Sequence, residues 1–199
     1  MKRVLHGFDG NGASRVTSVG PARVLLVDCP WQFRDSLPGK SRGAAKNYAC
    51  MSERELCFFK LPPLADDCLL LFWRVASMQR EAFTVITAWG FTVKSEIVWR
   101  KLTATGKLHF GLGRYTRASH EVCLLATRGR VKVADRAVRS VFDAPVPTEN
   151  GKKVHSRKPD AIYEIAERLV PGGPFVEMFA RRRRAGWQCY GNELSEAAE

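Results

Sequence analysis

The stretch Arg23-Val24-Leu25-Leu26-Val27-Asp28-Cys29-Pro30-Trp31-Gln32-Phe33 decides the fold. Val24 to Val27 are four apolar residues in a row, two of them β-branched, the composition of a strand buried on both faces. Pro30 has no N–H to give to a ladder, so the strand ends before it. An acid, a small residue, a proline and an indole therefore follow a strand's carboxyl end, which in open α/β sheets is where ligands bind. The Asp28 carboxylate can accept a hydrogen bond from an amino group, and the Cys29 carbonyl can accept a second. The Trp31 ring offers a face on which a base can stack. Together the four residues suit a flat substrate carrying an NH2 group. Taken alone they describe equally well an acid at a strand end followed by a core tryptophan, because Asp–Pro turns are common.

Further apolar runs extend the pattern outward. Cys68 to Trp73 reads as a second buried strand. Phe91 to Arg100 reads as a third, with Val93, Ile97 and Val98 inward; Val122 to Thr127 is a fourth and Phe175 to Phe179 a fifth. Trp187 to Tyr190 is a final short strand, and Val141 to Ala144 a short extended piece in the charged, peripheral segment Gly129 to Lys153. Ser52-Glu53-Arg54-Glu55 is a capping box that opens a short helix carrying Leu56, Phe58 and Phe59, closed by Pro62-Pro63. A second helix runs from Val75 to Ala88, with Met78, Phe83 and Ile86 as core contacts and Gly90 just past its end. A third starts at Pro159, carries Ile162, Ile165, Ala166 and Leu169 on one face, and stops at Pro171-Gly172-Gly173. Strands alternating with helices imply a doubly wound α/β sheet. Residues 1–199 are expected to form one domain, with 1–22 a loose leading segment and 195–199 a fraying tail.

The formal net charge of +12 favours a polyanionic partner. The segment Lys101 to Ser119 interleaves Lys101, Lys107, Arg114 and Arg117 with His109, Phe110 and Tyr115, a mixture suited to phosphate contacts and base stacking. A second basic, glycine-containing loop runs from Arg34 to Lys46, with Tyr48 beyond it. The six cysteines contain no Cys-x-x-Cys pair, so neither zinc nor a disulfide framework is expected, and no metal is assigned. No apolar run has the length of a membrane span, and there is no signal-peptide core near the N-terminus; a cytoplasmic protein is expected. There is no Gly-x-Gly-x-x-Gly fingerprint of a dinucleotide site.

Asp28-Cys29-Pro30-Trp31 resembles the Asp-Pro-Pro-Trp signature of amino-methyltransferases that act on adenine's exocyclic amine. Three more blocks match in order. They are Ser119-His120-Glu121 with the following Val122 to Gly129; Ser156-Arg157-Lys158-Pro159-Asp160; and Glu177-Met178-Phe179-Ala180-Arg181 with Gly186-Trp187 and Gly191-Asn192-Glu193. The resemblance covers Val24 to Leu194 and is to the family that contains the catalytic subunit of the messenger-RNA adenosine methyltransferase and short phage and bacterial relatives. It implies a Rossmann-like methyltransferase sheet, circularly permuted so that the catalytic motif precedes the cofactor strand. It implies S-adenosylmethionine as cofactor, held by Asp28, Lys158, Glu177, Phe179, Arg181, Asn192 and Glu193, with Lys158 on its carboxylate. Asp28, Cys29, Pro30 and Trp31 are the implied catalytic residues. Trp31, Tyr48, Arg114, Tyr115, Arg117, His120 and Glu121 are assigned to substrate. Asp9 stands where the family places an acid near the cofactor's adenine. Cys29 replaces a proline of the signature; it keeps the backbone carbonyl and gives up the proline's stiffness. DNA is the expected substrate, from the short chain and its likeness to phage and bacterial members. RNA methylation and a non-catalytic nucleic-acid-binding role are the alternatives; a small-molecule amino-methyltransferase would leave the charge and the Lys101–Ser119 loop without purpose. Monomer and homodimer both remain open.

Overall fold

In the computed structural model, Ala22–Asp28 form strand β1, and the description covers residues 20–32, 50–113, 115–149, 152–154, 157–192 and 194. Tyr48, Arg114 and Glu193 of the expected site lie outside the described residues, as do Asp9, the basic loop from Arg34 to Lys46 and Ser156. The remaining elements are α1 (Glu53–Cys57), β2 (Leu64–Arg74), α2 (Gln79–Ala88), β3 (Thr92–Leu102), β4 (His120–Arg128), β5 (Val141–Pro145), β6 (Thr148–Glu149), β7 (Lys152–Lys153), α3 (Ala161–Leu169), β8 (Phe175–Met178) and β9 (Trp187–Tyr190). Seven strands form one sheet in the order β5-β3-β4-β2-β1-β8-β9, and β6 pairs with β7 apart from it. β1 lies at the interior of the sheet, parallel to β2 on one side and β8 on the other. Such a strand is hydrogen-bonded at both edges and covered on both faces, which is why Val24 to Val27 are apolar without alternation.

Helices cover both faces, as the doubly wound reading requires. Leu25 and Val27 point to the side where Leu56 of α1 and Ala82, Val85 and Ile86 of α2 are buried. Val24 and Leu26 point to the other side, against Ile162, Tyr163, Ile165, Ala166 and Leu169 of α3. Each fully buried large aliphatic side chain here is worth about 1.5–3 kcal/mol relative to exposure. The Ser52 capping box closes as expected: Glu55 N–H donates to Ser52 Oγ at 3.3 Å and Ser52 N–H to Glu55 Oε2 at 2.7 Å.

Two expectations change. Residues Ala76–Met78 form a 3-10 turn, so the second helix proper begins at Gln79. Phe83 is 41% exposed and not a core residue; the buried stripe of α2 is Ala82, Val85 and Ile86, and Phe83 lies off it. The doubly wound sheet is mixed: β4 runs antiparallel to β2 and β3, and among the described residues no helix lies between β3 and β4 to carry the chain back to the starting edge. Val141–Pro145 is a full edge strand, parallel to β3.

Candidate active site

Side chains alternate between faces along a strand, so Asp28 shares the α3 face with Val24 and Leu26. The same parity puts Trp73, Trp99, Lys101, Glu121 and Cys123 on that face, and the buried members Trp73, Trp99 and Cys123 lie in one core cluster there. Register brings them to one edge of the sheet. Asp28 is opposite Trp73, Trp73 is opposite Cys123, and Trp99 is opposite Glu121. This edge is the carboxyl end of β1, β2 and β3 and the amino end of the reversed β4. Lys158 enters it from the turn ahead of α3.

The result is a row of alternating charge. Lys158 Nζ lies 2.7 Å from Asp28 Oδ2 and 3.5 Å from Glu121 Oε2. Glu121 Oε1 is also paired with Lys101. Two indoles floor the row: Lys158 Nζ stands 5.5 Å from the Trp73 ring centre and Lys101 Nζ 5.1 Å from that of Trp99. Burial pushes the Asp28 carboxyl above its usual range, against the pull of Lys158 and, more weakly, Arg181. Burial acts on Glu121 in the same direction, but Lys158 and Lys101 together outweigh it and hold that carboxyl below its usual value. For Lys158 burial is again outweighed, here by Asp28 and Glu121, so the ammonium is held above its usual value.

After Asp28 the chain turns sharply. Trp31 N–H donates to the Cys29 carbonyl at 2.9 Å, and Met51 N–H to the Pro30 carbonyl at 2.7 Å. The Cys29 oxygen still has a second lone pair for an incoming donor. The Cys29 side chain is buried on the face opposite Asp28, and burial, then Asp28, pushes its thiol well up, so its sulfur is inert packing. Trp31 does not stand as an open stacking face: it is 2% exposed and meets Phe72 edge-on with ring centres 6.2 Å apart. Its indole N–H is buried and has no hydrogen-bond partner among the described residues.

β8, the neighbour of β1 on the side away from β2, carries the residues assigned to a cofactor. Glu177 is on the α3 face, where the Tyr163 hydroxyl lies 3.0 Å from each of its oxygens. Burial, and to a smaller degree the Asp28 charge, push Glu177 up to about 7. Phe179 has φ 59°, a left-handed backbone unusual outside glycine, and it packs on Phe59 with ring centres 5.1 Å apart. The chain leaves the sheet at that bend, which directs Ala180 and Arg181 across the carboxyl end of β9. There Ala180 N–H donates to the Tyr190 carbonyl at 2.8 Å, and a Cβ on Gly191 would collide with the Ala180 carbonyl; Asn192 follows, exposed.

Four arginines, Arg181 to Arg184, follow β8. Arg181 acts on Asp28. Arg182 pairs with Asp160, Arg184 lies 3.7 Å from Glu167, and both guanidinium groups cover the Tyr163 ring. Acids on and before α3 capture them. Tyr115 and Arg117 are exposed on the loop after β3, with Arg117 over Phe110 at 4.9 Å, and His120 is exposed at the start of β4. That loop is tied down at its base: Lys101 N–H donates to Ser119 at 2.9 Å and His109 N–H to the Lys101 carbonyl at 2.8 Å. Lys101 and Tyr163 are the two site residues not singled out from sequence for these roles. The pattern Trp99-x-Lys101 holds the signal for the first, since period two sets both on the face of Asp28.

The raised Glu177 carboxyl makes a stability prediction. Its proton is kept in the folded chain and released by the unfolded chain between the usual value of 4.5 and about 7. This group's stabilising share is therefore complete below 4.5 and is lost as pH rises through about 7. Thermal unfolding at pH 5 and pH 8 should show a smaller drop for Glu177→Gln than for the parent chain. An equal drop in both would show that Glu177 does not carry the effect.

A mixed α/β sheet thus gathers a carboxylate, a peptide oxygen and cations at the carboxyl end of β1, where open α/β sheets bind ligands. The family model described as MT-A70 matches residues 22–193, and the chain belongs to that family. MT-A70 methyltransferases use S-adenosylmethionine as methyl donor. The chain is similar to the N(6)-adenosine-methyltransferase MT-A70-like of Arabidopsis thaliana, 28% identical over 91% of this chain and 25% of that protein. It is 27% identical to the N(6)-adenine-specific methyltransferase METTL4 of Mus musculus, over 85% of this chain and 37% of that protein. The N(6)-adenosine-methyltransferase MT-A70-like protein of Drosophila melanogaster is 28% identical over 90% of this chain and 28% of its own length. The chain thus spans between a quarter and about two fifths of these relatives.

Proposed function

We propose that the chain transfers a methyl group from S-adenosylmethionine to the exocyclic amine of adenine in DNA. The observation that carries this is Asp28, set by Lys158 at 2.7 Å beside a peptide oxygen that can take a second hydrogen bond. Adenine's amino nitrogen is a poor nucleophile because its lone pair is delocalised into the ring. Asp28 and the Cys29 carbonyl accept its two hydrogens, favour the pyramidal geometry of attack, and stabilise positive charge as it develops. The donor, when bound, would supply the methyl as an electrophile and leave with the pair of the broken C–S bond. The nitrogen then sheds one proton, to Asp28 or to water. Trp31 is assigned a lesser part than stacking; buried against Phe72, it fixes the turn that aims the Cys29 carbonyl.

The residues at the crevice fit the donor. Arg181 follows the β8 bend by two residues and acts on Asp28, and Asn192 and Glu177 offer partners for hydroxyl groups. Lys158, ion-paired with Asp28 and Glu121, would hold the donor's carboxylate when the donor is bound. The catalytic strand β1 precedes the cofactor strand β8 in the chain while lying beside it in the sheet, and we read this as the permuted arrangement. Exposed Tyr115 and Arg117 on the loop between β3 and β4 recognise the polymer.

RNA is the second reading, favoured by the adenosine-methyltransferase names of the plant and fly relatives. Incubating the chain with DNA and RNA oligomers and methyl-labelled donor separates them. Label on the N6 of deoxyadenosine is the expected result. Label on RNA only would move the substrate to RNA, and binding without label would leave a nucleic-acid-binding role.

A further inference from the structure

The connection between β4 and β5, Gly129 to Ser140, crosses the α3 side without helix or regular strand, yet it is pinned along its length. Val131 and Val138 pack into the α3-side core. Arg130 N–H donates to Asp67 Oδ1 at 2.6 Å, and Ala134 N–H to the Leu169 carbonyl at 2.9 Å, at the end of α3. Asp135 receives Arg168 at 2.9 and 2.6 Å and the Ala137 N–H at 2.8 Å. Val98 N–H donates to the Ser140 carbonyl at 2.7 Å, seating the exit in the sheet.

This fixed segment displays one sign of charge. Arg128, the last residue of β4, and Arg130, Lys132, Arg136 and Arg139 of the segment are all exposed, five cations in twelve residues. None forms an ion pair among the described residues. The sole acid in the stretch, Asp135, is already neutralised by Arg168. Like charges on a rigid segment repel one another, and solubility alone is served better by mixed signs. Fixed, unpaired and same-signed cations match a row of phosphates, each of which releases counterions when contacted.

We propose that this strap is a second phosphate-binding surface, which holds the flank of the substrate nucleic acid away from the reacting base. The proposal rests on the reading that the substrate is a nucleic acid, and it assigns to that polymer a surface outside the site. Arg128, where the strap begins, is opposite Cys68, five residues along β2 from Trp73 and so from Asp28, and β4 is two strand positions from β1. At about 3.4 Å per residue and about 4.8 Å per strand position, the strap begins roughly 20 Å from Asp28, toward the opposite end of the sheet. At about 3.4 Å per base pair, the polymer must extend roughly six base pairs or more beyond the target adenine to reach it.

The test compares the full chain with a variant carrying Arg130→Gln, Lys132→Gln and Arg136→Gln. Binding is measured by fluorescence anisotropy over a salt series. The probes are a duplex of about 30 base pairs centred on the target and a hairpin duplex of about eight. For the long duplex, the salt slope of the variant should be shallower by about 2–3 and its affinity about tenfold lower. The short duplex should bind both chains equally, and turnover at saturating substrate should be unchanged. A variant with Arg130→Lys and Arg136→Lys should bind the long duplex as the parent does. Identical slopes for the glutamine variant and a tightly binding parent would overturn the proposal, as would loss of binding in the lysine variant. So would a variant that loses only binding to vesicles of anionic lipid. A parent chain that binds neither polymer would reject the nucleic-acid reading itself, and the strap with it.

Discussion

Asp28→Asn should lower methyl transfer roughly a hundred- to a thousandfold, the range seen when one preorganised electrostatic group facing a developing charge is lost. Asparagine keeps the shape and one acceptor oxygen, so the change isolates charge. Lys158 retains Glu121 at 3.5 Å and is not orphaned. The fold should hold, because burial already works against the ionised Asp28 carboxyl. That direction means Asp28 stabilises the chain only below its usual titration range, and the share is lost as pH rises above it. At neutral pH its neutral isostere removes a buried charge and should leave the melting temperature within a few degrees. Turnover measured beside a melting curve decides the matter. Unimpaired turnover would remove Asp28 from the chemistry, and a collapsed melting curve would assign it to structure.

Much of the site was legible because it is written locally. A run of apolar residues ended by a proline placed Asp28 at a strand's carboxyl end, and β1 ends at Asp28. The Ser52–Glu55 spacing marked a helix start, and the apolar stripe after Pro159 marked α3. What was not legible depends on register, a property of two strands at once. Lys101 meets Glu121 because Trp99 is opposite Glu121 in an antiparallel pair, and neither stretch alone states that alignment. The fate of the arginine run was hidden for the same reason. Arg182 and Arg184 lie just after a strand, as Arg181 does, but Asp160 and Glu167 come to meet them only once α3 has docked. Trp31 shows the limit of residue chemistry: an indole can stack on a base or pack edge-on against a core ring, and here it is buried against Phe72. Phe83 failed on phase, since it follows Ala82 by one residue, about 100° round an α-helix, and so falls off the stripe of Ala82, Val85 and Ile86.

Lys158→Met should be the most damaging single change to stability at the site. The methionine fills similar volume but leaves two carboxylates, each with side chains 30% exposed, facing each other without the ammonium between them. Removing one partner of a buried pair typically costs about 3–5 kcal/mol. Partial exposure places the cost here near the lower end, roughly 3 kcal/mol, or about 6–12 °C in melting temperature for a domain of this size. The loss should depend on pH with a definite sign. In the parent chain Glu121 is held below its usual value, so its contribution is present above that range and lost as pH falls through it. Without Lys158, burial opposes only Lys101, and Glu121 shifts upward together with Asp28. Protonation then relieves the variant, so the melting gap to the parent should be wide at pH 8 and narrow at pH 5. Methyl transfer should show the same origin, with the acid limb of its pH profile moved to higher pH because a protonated Asp28 is a weaker acceptor for the amine. Lys158→Arg keeps the charge and should restore most of the stability. A gap of equal width at both pH values would mean that Lys158 acts through packing on Trp73 and not through the carboxylates.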